Sequence, residues 1–459
     1  MREFKIVFTF LLFLSLTHYA NSANFTSSFS IAPVQVLNVT NDTSTDKNFL
    51  NSPVLVPTGS NSSLAIIGWQ ANGKNYTFTR RIVDAYTFAP KGNDTVLFSI
   101  LNYEEQPAIV GSPANGAIAI ATVNRTNSTS QVFINVFPEG YIDANSSNFT
   151  QIDITLNTNT TLNYYFSQFF YQDGYFYLLY TEYANANLSE CSIYLQGVSA
   201  TNPNDTRFTS PLRLNGDSPV YVNVFSKTRP FARCGQHGSY NIMYCMWKRY
   251  DTNETANVMV DLANRMISAQ PSLKDSDGWF YTPVTVVPYS KHCAQILAVS
   301  NASSQDLYLS MRAKLSFIKT DYALPYGLPS NMQDFILAGA AAYYGGWFTV
   351  YNQYYTDPET HATRSSVGRS IYQMDGSMNG TQSEIAHNAS VISFLVQPNK
   401  AVYVLLANTT QAGGEWDVAY LAQLYGSTTY PPQQPKLANS LGAFPYISLV
   451  LVIIAIFML

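Results

Sequence analysis

Seven times along this chain a tight-turn signal is followed at once by a short run rich in Val, Ile, Tyr, Phe and Thr, and this recurrence restricts the fold more than any other feature. The first four are Asn72-Gly73 before Tyr76 to Ile82, Asn115-Gly116 before Ala117 to Val123, Asp173-Gly174 before Tyr175 to Tyr180, and His237-Gly238 before Tyr240 to Trp247. Ser290-Lys291 before Cys293 to Val299, Gly345-Gly346 before Trp347 to Tyr351, and Asn399-Lys400 before Ala401 to Leu406 complete the series. Asn-Gly and Asp-Gly supply the left-handed backbone that tight hairpins need. Helical periodicity is scarce between them, so the body reads as all-β. From Gly73 to Lys400 the mean spacing is roughly 55 residues, with gaps from about 43 to about 64, which accommodates a four-stranded sheet and its loops. The expectation is a single β-propeller of seven blades, whose radial closure protects the sheet edges. Two consecutive β-sandwiches are the alternative, although no Pro/Ser-rich linker divides the chain.

Such a body needs a soluble exterior, and the charges do not supply it. Asp, Glu, Lys and Arg make up 12% of the 459 residues while aromatics make up 14%, with 33 Tyr and 27 Phe. The formal net charge of -4 comes without a run of like charges, which excludes nucleic acid as an expected partner. Acceptor patterns for N-linked glycans fill the gap. Asn-x-Ser/Thr occurs at Asn24, Asn38, Asn41, Asn61, Asn75, Asn93, Asn124, Asn127, Asn145, Asn148, Asn159, Asn187, Asn204, Asn253, Asn301, Asn379, Asn388 and Asn408. Chance placement in this composition would give roughly seven such sites.

The two ends fit the same compartment. Arg2 and Lys5 precede an apolar stretch from Ile6 to Leu16 and a cleavage region at Ala20 to Ser22, so residues 1–22 read as a signal peptide. Residues 23–426 are then the β-rich glycosylated ectodomain. Residues 427–440, with Pro-Pro-Gln-Gln-Pro, read as an extended stalk, and residues 441–459 as an uncharged apolar tail. That tail resembles the signal for a glycosylphosphatidylinositol anchor, with Asn439 and Ser440 as attachment candidates and Gly426 to Thr428 as a second position. A single-pass membrane helix is the alternative. Either way the chain is expected on the extracellular face of the plasma membrane, held there by its tail or by lipid.

Four cysteines, Cys191, Cys234, Cys245 and Cys293, suit an oxidising lumen. Cys234 and Cys245 flank a Gly-His-Gly-containing turn and are expected to join neighbouring strands, which leaves Cys191 with Cys293. His237 and His292 next to cysteines do not have the spacing of paired metal ligands, and neither a metal nor a cofactor is expected. No nucleophile elbow, phosphate loop or zinc-protease motif is present, so the sequence leans away from an enzyme. Two long stretches lack acceptor sites. One carries Arg229, Arg233, Trp247 and Arg249, the other Tyr344 and Trp347, and these six are the binding-face candidates for an extracellular protein or carbohydrate. Core strands with snorkelling cations are the bland alternative for both. The functional expectation is an ectodomain for adhesion, recognition or surface coating. The alternative is an extracellular glycan-active hydrolase working in the central depression of the propeller.

Overall fold

The computed structural model describes residues 34–38, 51–72, 75–100, 106–126, 129–138, 149–156, 162–183, 189–216, 220–222, 232–236, 241–249, 252–274, 280–289, 292–300, 305–312, 317–324, 332–343, 346–356, 359, 363–373, 383–399, 401–408 and 418–425. The chain divides into compact units at Met1–Gly426 and Ser427–Leu459, and only the first contains described residues. The signal peptide, the stalk, the tail and both lipid-attachment candidates, Asn439 and Ser440, lie outside them. Among the described residues no helix is long and apolar enough to cross a membrane.

Among the described residues every element is a strand, and the strands form seven antiparallel sheets. Blade 1 runs β2 (Asn51–Pro57), β3 (Ser63–Asn72), β4 (Asn75–Asp84) and β5 (Thr95–Ile100). Blade 2 runs β6 (Ala108–Gly111), β7 (Ile118–Arg125), β8 (Ser130–Phe137) and β9 (Thr150–Asp153). Blade 3 comprises β10 (Asn163–Gln172), β11 (Tyr175–Tyr183) and β12 (Ser189–Ser199), with an outer strand in two pieces, β13 (Leu212–Arg213) and β14 (Val220–Val222). Blade 4 has β15 (Arg233–Gln236), β16 (Ile242–Arg249), β17 (Glu254–Asp261) and β18 (Met266–Lys274). Blade 5 has β19 (Phe280–Tyr289), β20 (His292–Ser300), β21 (Gln305–Arg312) and β22 (Phe317–Leu324). Blade 6 has β23 (Met332–Tyr343), β24 (Gly346–Thr356), β25 (Thr363–Gln373) and β26 (Ser383–His387).

Blade 7 joins the first and last described strands. Its first three strands are β27 (Ala389–Val396), β28 (Val402–Asn408) and β29 (Val418–Tyr425), and its fourth is β1 (Val34–Asn38), the first strand of the sequence. β1 lies antiparallel to β29, with Val34 opposite Leu421 and Asn38 opposite Val418. The first strand of each blade touches the first strand of the next, and β27 touches β2, so the seven sheets close a ring. The fold is a seven-bladed β-propeller, and the two-sandwich alternative is excluded.

Burial explains why the middle strands read as near-continuous apolar runs. A blade is covered on both faces, and side chains alternate between them. On β11, Phe176, Leu178 and Tyr180 pack into the cluster shared with blade 2, whereas Tyr177 and Leu179 enter the one shared with blade 4. On β28, Tyr403 and Leu405 face blade 1 while Val402, Val404 and Leu406 face blade 6. The described core is thus a series of inter-blade layers.

Polar side chains add a second set of ties between blades. The Gln168 side chain both donates to Cys234 O at 3.0 Å and accepts from Cys234 N at 2.7 Å, linking blades 3 and 4. Asn352 does the same for Val391, and Ser393 Oγ accepts from Leu55 N at 2.8 Å across the ring closure. Gln168 and Ser393 each follow a bulge in their strand, which re-aims the side chain toward the next blade. The turns of blades 1 and 2 also lean on each other. Gly59 and Gly116 both have φ near the left-handed region (+77° and +76°), and a Cβ on Gly116 would lie 2.4 Å from Thr58 O.

Candidate functional site at the two ends of the ring

Antiparallel strands reverse at each connection, so the loops sort onto two ends. The first-turn end carries the strand 1 to 2 and 3 to 4 connections, and the second-turn end carries the strand 2 to 3 connections and the links between blades. Asn61, Asn93 and Asn204 stand at the first-turn end. Asn75, Asn253 and Asn388 stand at the second-turn end, where β1, β7 and β28 also bring Asn38, Asn124 and Asn408. Side chains are described for seven of these nine. Asn61, Asn75, Asn93, Asn204 and Asn253 are exposed, while Asn124 and Asn388 are half-buried. Asn253 and Asn388 adopt φ of 50° and 49°, a left-handed turn conformation that asparagine tolerates. Asn24, Asn41, Asn127, Asn145, Asn148, Asn159, Asn187, Asn301 and Asn379 lie outside the described residues.

The disulfide between Cys234 and Cys245 is formed, with an S–S distance of 2.05 Å, and joins β15 to β16 at directly opposed positions. The expected partnership of Cys191 with Cys293 is corrected. Cys191 is a free, buried thiol on β12 of blade 3, whereas Cys293 lies on β20 of blade 5, so blade 4 stands between them. A disulfide needs Cα atoms within about 7 Å. Burial pushes the Cys191 thiol up to about 12, which keeps it protonated and unreactive at neutral pH.

The cationic and aromatic candidates of blade 4 do not form an outer face. Trp247 is 4% exposed and packs in the cluster between blades 3 and 4. Arg233 is half-buried as a residue, but its guanidinium donates inward to Ser167 O of blade 3 and to Ala232 O. Desolvation lowers its pKa to about 10, so the group stays charged while it ties the innermost strands together. Arg249 is half-buried and paired with Glu254 across the ladder at 3.4 Å. The alternating pattern that buries both faces of a blade strand claims these residues for the interior. Arg229 and Tyr344 lie outside the described residues. Trp347 is the second residue of β24, opposite Ala342, and its side chain is not among those described.

Two arginines that the sequence reading passed over do reach the first-turn end. Arg207 lies 5.2 Å from the Tyr175 ring centroid and donates to Asn241 Oδ1 of blade 4. Arg265 lies 5.7 Å from the Phe208 ring centroid and donates to Thr209 Oγ1 of blade 3. Their only sequence signal is a position among turn residues after a strand, which does not reveal that they cross between blades.

Chemistry at the axis is constrained by what the innermost strands carry. Across β2, β6, β10, β15, β19, β23 and β27 the one carboxylate is Asp334 on β23. Among the described residues, no group of three or more His, Cys, Asp or Glu could hold a metal ion. Among the described residues the Glu182 carboxyl on β11 is shifted upward, by burial first, with Tyr164 and Arg213 partly opposing the shift.

No family model matches the sequence, and no curated protein matches it. Similar solved structures include the β-propeller domain of the Trilobed protease from Pyrococcus furiosus, at 11% identity over 83% of this chain and 99% of that one, with a TM-score of 0.42. A prolyl endopeptidase is similar at 9% identity over 78% of this chain and 46% of that one, TM-score 0.43. NanB sialidase from Streptococcus pneumoniae is similar at 11% identity over 85% and 70%, TM-score 0.39.

Proposed function

We propose that this chain is a glycosylated ectodomain displayed at a cell surface, where it serves as a coat that also recognises an extracellular protein or carbohydrate. The supporting observation is the placement of the acceptor asparagines. Five of the seven whose side chains are described are exposed, at loop or strand-end positions on both ends of the ring. Glycans there would provide the hydration that a chain with 12% charged residues lacks. Acceptors on both ends suit a coat better than a binder with one bare face. A hydrolytic reading would need two carboxylates facing one sugar, and the innermost strands carry one, Asp334. The apolar tail, residues 441–459, would supply attachment through lipid or a single helix.

The test is made on protein from its native cells. Peptide-N-glycosidase treatment should lower the apparent mass by many glycans, surface biotinylation should label the intact chain, and phosphatidylinositol-specific phospholipase C should release it if lipid is the anchor. An unshifted mass together with no surface labelling would sink the proposal. Labelling with resistance to the phospholipase would replace the lipid by a membrane helix.

A further inference from the structure

Transfer of a glycan to asparagine requires the enzyme to read the Asn and the hydroxyl residue two positions later as one unit. In six of the seven acceptor sites with described side chains, that hydroxyl residue is exposed or half-buried: Ser63, Thr77, Thr95, Thr126, Thr206 and Ser390. The seventh differs. Asn253 itself is exposed in a left-handed turn, but Thr255 is 0% exposed inside blade 4. The residue between them is pinned as well. Glu254 accepts from Arg249 Nη1 on β16 at 3.4 Å and from Ser272 Oγ on β18 at 2.9 Å, and Thr255 stands in register between Lys248 and Leu273. Presenting Asn253 and the buried hydroxyl of Thr255 as one unit therefore means releasing Glu254 and Thr255 from their pairing with β16 and β18.

We propose that Asn253 receives its oligosaccharide before β16, β17 and β18 pair, and that the folded domain is no longer an acceptor at this position; this rests on the glycoprotein reading above. The transfer forms a bond from Asn253 Nδ2 to the anomeric carbon of a lipid-diphosphate-linked oligosaccharide. The amide loses one proton, the bond from carbon to the diphosphate oxygen breaks, and the lipid diphosphate leaves with that electron pair. Once attached, the sugar projects from the exposed turn and leaves the β17 ladder intact. A glycan at Asn253 thus marks a chain that was modified while blade 4 was still open.

The experiment uses glycan-free full-length protein, folded with the Cys234–Cys245 bridge formed, and the same protein reduced and denatured. Each is offered to purified oligosaccharyltransferase with its lipid-linked donor, and occupancy is mapped by mass spectrometry. The expected result is modification of Asn253 only in the unfolded chain, at least tenfold above the folded one. Equal modification of the two forms would overturn the proposal, as would failure of Asn253 in the denatured chain while Asn75 is modified. If the glycan-free chain does not fold, molecules from cells with partial transferase inhibition, folded on their remaining glycans, are used instead. The variant Thr255→Val should remove the Asn253 glycan from cell-made protein while preserving the fold. Absence of glycans from every site in native protein would instead refute the glycoprotein reading itself, so the two failures are distinguishable.

Discussion

The junction between blades 3 and 4 and the junction between blades 7 and 1 do the same job by different means. Blades 3 and 4 are consecutive in sequence. They share a large apolar cluster, and Gln168 and Arg233 add polar ties beside the Cys234–Cys245 bridge of blade 4. The first three strands of blade 7 and those of blade 1 are separated by five intervening blades in the sequence, and no disulfide stands at their junction among the described residues. Their joint depends on β1. That strand buries Leu37 in the shared cluster and offers Val36 O to Arg81 of blade 1, whose guanidinium also holds Asp94 at 2.8 and 2.9 Å. A junction inside continuous chain tolerates loss of a tie because the polypeptide keeps the blades close. A junction between chain ends has no such memory, since its closure entropy is met by noncovalent contacts alone.

The largest expected effect is therefore at the closure. Removing residues 34–38 exposes the β29 edge and takes Leu37 out of the core, and the chain should lose its cooperative thermal transition or aggregate, as followed by circular dichroism and light scattering. Survival with a Tm within a few degrees of the parent would break the contrast. Replacing both Cys234 and Cys245 by Ala should cost about 3 kcal/mol in denaturant unfolding while leaving the ring assembled.

A matched pair of glutamines sharpens the comparison. Gln168→Leu strands both the N–H and the C=O of Cys234 and should cost about 2 kcal/mol. Gln397→Leu at the closure removes a donor to Ser63 O at 3.0 Å, and its own buried Oε1 has no hydrogen-bond partner to lose, so about 1 kcal/mol is expected. Reversal of that order in urea titrations would argue that polar ties matter more at the closure.

The junction between blades 2 and 3 supplies a titratable case. The Glu182 carboxyl is raised by burial, so its protonated form is the one the fold favours. Its contribution is complete below the ordinary carboxylate range and is lost as pH rises through the higher folded value. Glu182→Gln should remove this downward step from a plot of Tm against pH. A step that persists in the variant would assign it to another group. The smallest effect is expected for Arg265→Ala, an exposed tie across blades 3 and 4, at about 0.5 kcal/mol or less.

The blades were legible because middle strands such as β7, β11, β16 and β28 are buried on both faces and follow a turn signal. Six of the seven signals fall at the turn between the first and second strands of a blade. The first does not, because Asn72-Gly73 belongs to the hairpin between β3 and β4. The equivalent turn of blade 1 lies at Thr58 to Ser62, where Gly59 carries the positive φ. The short gap of about 43 residues came from that mismatch, since a hairpin signal reports a reversal without saying which reversal. The Cys234–Cys245 bridge was legible because it spans one turn. Cys191 was not, because pairing by elimination ignores the blade that stands between two strands. Trp247 and Arg233 were misplaced for a related reason: absence of glycan acceptors marks buried chain as readily as it marks a free surface.

Strand β29 lies between β28 and β1, and its last residue, Tyr425, stands opposite Val402 at the first-turn end. Tension drawn through the polypeptide beyond that point would run along the strand, across hydrogen bonds that lie perpendicular to it in both ladders. Those bonds would be loaded together in shear instead of being unzipped one after another. The same first strand that shuts the ring would thereby turn a pull on the domain into a load shared along a whole sheet.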